Sequence, residues 1–231
     1  PIWKEKTETA SRLRGRIEHV LNYARVRGYR SGDNPARWKG NLDAVLPQPS
    51  KLKGGQHFKA LPFADVPRFM ADLRQRSGMA ARALEFTILT AARSGEVRGA
   101  TWSEIDFENR LWVIPAERMK ANKEHRVPLT DDAITLLRSL PRFAESDLVF
   151  PAARGGKLSD MSLSAVLKRM NVDGTVHGFR SSFRDWTAER TSYPNEVIEM
   201  CLAHTIGDKV ERAYRRGDLL QKRRNLMADW C

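Results

Sequence analysis

Residues 110–130 read RLWVIPAERMKANKEHRVPLT. Two segments of this stretch, RLWVIPAE (110–117) and HRVPLT (125–130), are β-branched or aromatic, and a polar, lysine-rich run joins them. That pattern predicts a hairpin. The sequence on either side of it has helical spacing instead. PFADVPRFMADLRQ (62–75) and MAARALEFTILTAA (79–92) read as two helices, and RSGEVRGA (93–100) opens a short third. Helical patterns resume at 131–140, 161–170, 177–191, 194–203 and 208–230. The expected fold is therefore mainly α with a small antiparallel β-sheet, the hairpin lying at one edge of a helical body. There is no internal repeat and no low-complexity tract.

Upstream, ASRLRGRIEHVLNYARVRG (10–28) places Leu13, Ile17, Val20, Leu21 and Ala24 at helical spacing, with arginines on the other side. Gly28 and SGDNP (31–35) stop this helix, and LPQPSKLKGG (46–55) has the Pro, Lys and Gly content of a linker. We expect residues 1–47 to be the end of a small helical domain, 48–56 a linker, and 57–231 a larger domain. The chain starts at Pro1 rather than Met and reads as a segment of a longer protein.

Composition narrows the function. At 231 residues with 41% hydrophobic side chains the chain can bury a proper core. Its longest apolar run, LEFTILTAA (84–92), is half of what crosses a bilayer, so no membrane role is expected. The two cysteines, Cys201 and Cys231, form no framework, and CxxC and HxxxH spacings are absent; a reducing, intracellular setting without structural zinc fits. Charge is the strongest global signal. The chain carries 40 Lys and Arg against 28 Asp and Glu, a net +12. Residues 1–60 hold 13 basic and 5 acidic side chains, whereas 61–204 are nearly balanced at 20 and 19. Such local excess attracts polyanions by counterion release, which makes nucleic acid the expected partner.

Four stretches can carry chemistry. In HGFRSSFRDW (177–186), His177 and Arg180 share one helical face while Phe179, Phe183 and Trp186 turn to the core. In TAARSGEVRGATWSEID (90–106), Glu96 is placed to hold the Arg93 guanidinium, or a neighbouring imidazole, while Arg93 offers forked donors to a phosphate. In MKANKEHRVPLT (119–130), Lys120 and Lys123 sit at a hairpin tip from which either can reach into a groove. In CLAHTIGDKVERAYRRGD (201–218), Tyr214 follows His204 by ten positions and stands among Arg212, Arg215 and Arg216. A phenol has a pKa of about 10 and becomes a nucleophile near neutrality only where cations or a base assist it. Attack on a phosphodiester needs fixed cations at the nonbridging oxygens, an in-line nucleophile and an acid for the leaving oxygen. Arg93, Glu96, Lys120, His177, Arg180, His204 and Tyr214 together supply each part over a span of 121 positions.

In these residues the chain resembles the tyrosine recombinase family, specifically the integrases of phages and genomic islands. The resemblance runs from about residue 57 to the end, and residues 1–47 look like the remainder of the family's core-binding domain. It implies Arg93 and Arg180 as phosphate-clamping arginines, His177 as the histidine of HxxR, His204 as the second histidine, and Glu96 as the acidic position beside the first arginine. Lys120, eight residues before Pro128, matches the hairpin lysine and is preferred to Lys123 as general acid; Tyr214 is then the nucleophile. The histidine-to-tyrosine spacing is ten where many members have nine.

The implied activity is site-specific DNA recombination through a 3′-phosphotyrosine, with neither metal nor cofactor. The implied partners are double-stranded attachment-site DNA, further copies in a tetramer on that DNA, and a directionality factor, all in the bacterial cytoplasm. Arg12, Arg16, Arg25, Arg27, Arg30, Lys59, Lys123 and Arg215 are the expected DNA contacts. Two alternatives stay open at this level: a type IB topoisomerase, which relaxes strands without exchanging them, and an accessory module that binds DNA without cutting it. A metal nuclease lacks its carboxylate cluster.

Overall fold

A computed structural model of the chain describes residues 2–52, 58–204 and 217–231. The chain divides into two compact units, Pro1–His57 and Phe58–Cys231.

The first unit is built on α1 (Ile2–Glu5) and the long α2 (Thr7–Val26), with α3 (Pro49–Leu52) at its end. Its internal contacts run along Ala10, Arg14, Glu18 and Asn22, positions four apart. Arg14 donates to the Ala36 carbonyl at 2.9 Å, and the Asn34 amide donates to the Glu18 carbonyl and to Asn22, each at 2.8 Å. Trp3 stacks on Trp38 and donates its indole N–H to Pro47. The apolar stripe read from the sequence is exposed at three of its five positions, with Leu13 keeping 49% of its surface and Val20 62%, while Leu21 and Ala24 are half-buried. The amphipathic pattern is present, but this unit packs on only part of the stripe.

In the second unit the central element is α5 (Met79–Thr90). It is apolar around most of its circumference, and Leu84, Phe86, Ile88 and Leu89 are all buried, the pattern of a helix enclosed by neighbours. Against it pack α4 (Val66–Arg74), α6 (Ser94–Arg98), α7 (Asp131–Ser139) and α8 (Ser162–Arg169). Thr130 caps α7 by accepting from the Ala133 N–H, and Asp131 and Asp132 occupy its first turn, where the helix dipole favours carboxylates.

The sheet is three-stranded and antiparallel in the order β1 (Ile105–Asp106), β2 (Leu111–Ile114), β3 (His125–Pro128). The β2–β3 hairpin has the register Leu111↔Pro128 to Ile114↔His125. The short β1 was not legible in the sequence, because two residues carry no alternation to detect. Trp112 on β2 is fully buried and donates its indole N–H to Glu104 at 2.9 Å.

A second apolar cluster joins α9 (Gly178–Arg190), α10 (Asn195–Cys201) and α11 (Leu220–Trp230) through Phe183, Val197, Ile198, Leu202, Leu226 and Met227. Here one expectation is corrected. A helix was read over 208–230, yet residues 217–219 are not helical and α11 begins at Leu220. Leu219 has a left-handed φ of 52°, a conformation that has no place inside a right-handed helix. Among the described residues, no helix is long and apolar enough to cross a membrane.

Candidate active site

Two helix ends and two guanidiniums build the centre of the site. Just past the ends of α5 and α10 stand Ala91 and Ala203, both in the left-handed conformation with φ 49°. A helix C-terminus leaves carbonyls without intrahelical donors and carries the negative end of the dipole. Arg180, the buried arginine of α9, takes up these carbonyls: Nη1 donates to the Ala91 carbonyl and Nη2 to that of Leu202 at 2.5 Å. Arg93 donates to the Ala203 carbonyl at 3.1 Å and to Glu96 Oε1 at 2.8 Å. Glu96 also accepts the Arg93 backbone N–H at 2.9 Å, so one carboxylate caps α6 and aims the guanidinium. Of the two roles read for Glu96, the structure shows the one toward the arginine.

The two guanidiniums raise each other's electrostatic cost. Burial, and then the charge of Arg93, push the Arg180 pKa down to about 10, which leaves it charged at neutral pH. Its Nε is buried with no hydrogen-bond partner among the described residues. A group of cations held at fixed points and incompletely satisfied is a site for an anion.

Two histidines border the guanidiniums. His204 approaches Arg180 Nη2 with Nε2 at 3.2 Å. Its other ring nitrogen, Nδ1, lies 2.6 Å from Glu199 of α10. Burial and the charges of Arg180, Arg93 and Arg184 push the His204 pKa down to about 4. His177 sits at the start of α9 with its ring 4.5 Å from that of Phe58. Its pKa is lowered by burial, then by Arg180, Arg93 and His204, so it faces the same cations. Close packing sets its position: a Cβ on Gly178 would come within 2.2 Å of the Lys59 carbonyl. Only glycine lets the chain before α4 lie against the first turn of α9.

Arg93, Glu96, His177, Arg180 and His204 are thus gathered, while the other residues singled out in the sequence are not. Lys120 and Lys123 are exposed in the β2–β3 connection, and no described contact ties either to the arginines. Lys59 is engaged with Asp173 at 2.8 Å. In the first unit Arg16 and Arg25 are exposed, Arg12 pairs with Glu8, Arg27 lies over the Tyr23 ring, and Arg30 donates to the Asp33 carbonyl. Tyr214 and Arg215 lie outside the described residues. Among the described residues no cluster of His, Cys, Asp and Glu could hold a metal ion.

Three features escaped the sequence reading. Glu199 of α10 belongs to none of the four stretches singled out in the sequence. His125 on β3 is half-buried, and its pKa is pushed down to about 3 by burial and by Arg223, Arg93 and Arg180. Arg223 of α11, 1% exposed, donates to the Arg126 carbonyl at 2.6 Å and to Asp218 at 2.8 Å, and Arg126 donates to the same carboxylate at 2.7 Å.

The pattern of the phage integrase family matches residues 59–219, and that of the phage integrase central domain matches residues 1–41. The chain belongs to the phage integrase family. Prophage integrase IntA of Escherichia coli strain K12 is 33% identical over 231 residues, 97% of this integrase-family chain and 54% of its own length. The integrase of Shigella phage Sf6 is 35% identical over 233 residues, 97% of the chain and 58% of its own. The chain therefore spans about half the length of the curated relatives it matches. Among solved structures, a lambda integrase tetramer bound to a Holliday junction superposes with a TM-score of 0.62 at 17% identity, over 91% of this chain and 63% of that one. At that identity the likeness is one of fold: a mostly helical body with a small antiparallel sheet, as the hairpin in the sequence implied.

Proposed function

We propose that this chain is the strand-cleaving part of a site-specific DNA recombinase, in which Tyr214 attacks a DNA phosphodiester and becomes a 3′-phosphotyrosine. The observation that carries this reading is the convergence of Arg93 and Arg180 on the carbonyl ends of two helices with His204 against Arg180, and Tyr214 ten positions downstream of that histidine. The phosphate lies among these donors. As the phenol oxygen bonds to phosphorus, the 5′-oxygen leaves with its electron pair and takes a proton from Lys120. Arg93, Arg180 and His204 hold the nonbridging oxygens, and His177 accepts the phenol proton. The 5′-hydroxyl of a partner strand then attacks the phosphotyrosine and gives its proton to Lys120, while the Tyr214 oxygen leaves phosphorus and takes a proton back from His177, which restores the backbone. The bond energy stays in the covalent link, so the exchange needs no nucleotide hydrolysis.

The tyrosine inventory supports the choice of nucleophile. Tyr23 and Tyr29 belong to the first unit. Tyr193 donates its hydroxyl to Asp229 at 2.7 Å, a bond that raises its pKa and keeps it protonated.

Within this reading residues 1–47 are the end of a core-binding domain, 48–56 a linker and 57–231 the catalytic domain. Arg12, Arg16, Arg25, Arg27, Arg30, Lys59, Lys123 and Arg215 contact DNA phosphates, Lys59 after leaving Asp173. The working form is a tetramer on attachment-site DNA in the bacterial cytoplasm, with a directionality factor selecting between integration and excision.

A nicked suicide substrate carrying the element's junction tests the proposal. The chain yields a protein–DNA adduct stable to denaturant, and Tyr214→Phe yields none. Arg180→Lys keeps a charge but loses the fork, and it lowers the rate of adduct formation by about two to three decades. An undiminished adduct from Tyr214→Phe refutes the assignment.

A further inference from the structure

Glu199 has no part in the chemistry above, yet both its side chain and its backbone hold His204. The backbone N–H of His204 donates to the Glu199 carbonyl at 2.9 Å, and the left-handed turn at Ala203 brings the imidazole back over the end of α10. There Nδ1 meets Glu199 Oε2 at 2.6 Å, and Glu199 Oε1 is taken by Arg184, one turn along α9 from Arg180. The Glu199 side chain is only 16% exposed. It is therefore a largely buried carboxylate satisfied by one arginine and one histidine.

Hydrogen-bond chemistry dictates the tautomer. A carboxylate offers only acceptors, so the proton of a neutral His204 must be on Nδ1. The bare nitrogen is then Nε2, which suits its 3.2 Å approach to an Arg180 N–H. In that state Nε2 cannot donate to a phosphate oxygen. We propose that Glu199 is a positioning residue for His204: it holds the imidazole in the Nδ1–H tautomer facing Arg180, and it supports the ring's positive charge once a DNA phosphate enters. The proposal rests on the reading of the arginine cluster as a phosphate site.

The groups facing the ring set the sequence of events. Arg93 faces it from the start of α6, Arg180, Arg184 and His177 from α9, and Glu199 from α10. Without an anion the cations prevail and the ring stays neutral. A phosphodiester brings one negative charge among them. One proton then passes from water to Nε2, the Arg180–Nε2 hydrogen bond breaks, and both the new Nε2–H and the released Arg180 N–H point to the phosphate. Glu199 keeps the cationic ring paired on its far side, an arrangement that raises a histidine's basicity and fixes its orientation.

Two-bond proton–nitrogen correlation spectra of the 15N-histidine-labelled chain test this, with inorganic phosphate as the probe. The His204 signals are identified by their loss in His204→Gln. The expected result is a neutral His204 in the Nδ1–H form whose titration midpoint, about 4 without an anion, rises with phosphate by about three pH units, enough to charge the ring near neutral pH. Glu199→Gln, whose amide oxygen still accepts, keeps the tautomer but loses most of that rise. Glu199→Leu mixes the tautomers, and unchanged signals from His19, His57, His125 and His177 show that the fold survives. A wild-type His204 in the Nε2–H form, or a Glu199→Gln protein whose midpoint rises as far as the wild type's, overturns the proposal. A wild-type midpoint unmoved by phosphate instead overturns the phosphate-site reading beneath it.

Discussion

A histidine among arginines is a different acid from a histidine in water, and this chain has at least two. His125 is held down to about 3 and His204 to about 4, whereas an unfolded histidine titrates near 6.5. Between those values the unfolded chain binds protons that the folded chain does not. Stability is therefore fully present above about pH 7 and falls as the pH drops from about 6.5 toward 4. The urea midpoint is expected to decline between pH 7 and pH 5, and His125→Gln is expected to flatten that decline. An identical slope in the variant would show that His125 is not held neutral by the fold. Arg93, Glu96, His177, Arg180 and His204 were legible because each lies in a short spaced motif. His125 and Glu199 were not, since their roles come from strand register and from the turn at Ala203, neither of which leaves a sequence signal.

At the scale of elements, the arginine cluster depends on where helices stop. The carbonyls that hold Arg93 and Arg180 belong to the ends of α5 and α10, so a helix extended by one turn would remove the acceptors. The helical periods of α4, α5 and α7 to α10 and the hairpin strands could be read from apolar spacing alone. The start of α11 could not, because periodicity at 208–230 conceals the break at Asp218 and Leu219. That break is used: Asp218 receives Arg126 from β3 and Arg223 from α11, which locks the last helix to the hairpin. Arg223→Met keeps the apolar stem but leaves the Arg126 carbonyl and Asp218 short of a donor. A loss of about 2–3 kcal/mol is expected, measured by urea unfolding at neutral pH. A loss under about 0.5 kcal/mol would show that the three groups do not act as a lock.

Across the whole molecule, charge and fold make separate contributions. The excess of basic residues is concentrated before residue 60, spread over α2 and the segments on either side of it, while the gathered arginines and histidines lie in the second unit. Affinity for DNA and chemistry on DNA should therefore respond differently to salt. Binding to non-specific duplex is expected to fall by about three decades between roughly 50 and 200 mM salt if six or more phosphates are neutralised. The cleavage rate of the preformed complex should change by less than about tenfold over that range, because the arginines proposed to hold the reacting phosphate are held against the protein and screened little. Filter binding and single-turnover trapping measure the two. Equal salt dependence would mean that the basic N-terminal segment does not carry the affinity.

The central claim is that one particular phenol becomes covalently joined to DNA. Its most direct test is to trap the adduct on a nicked junction substrate, digest the protein with trypsin and sequence the nucleotide-bearing peptide by mass spectrometry. The account predicts a 3′-phosphodeoxynucleotide on Tyr214 and on no other residue. A nucleotide attached to Tyr193, to a serine or to a histidine, or a 5′-linked adduct, would contradict it.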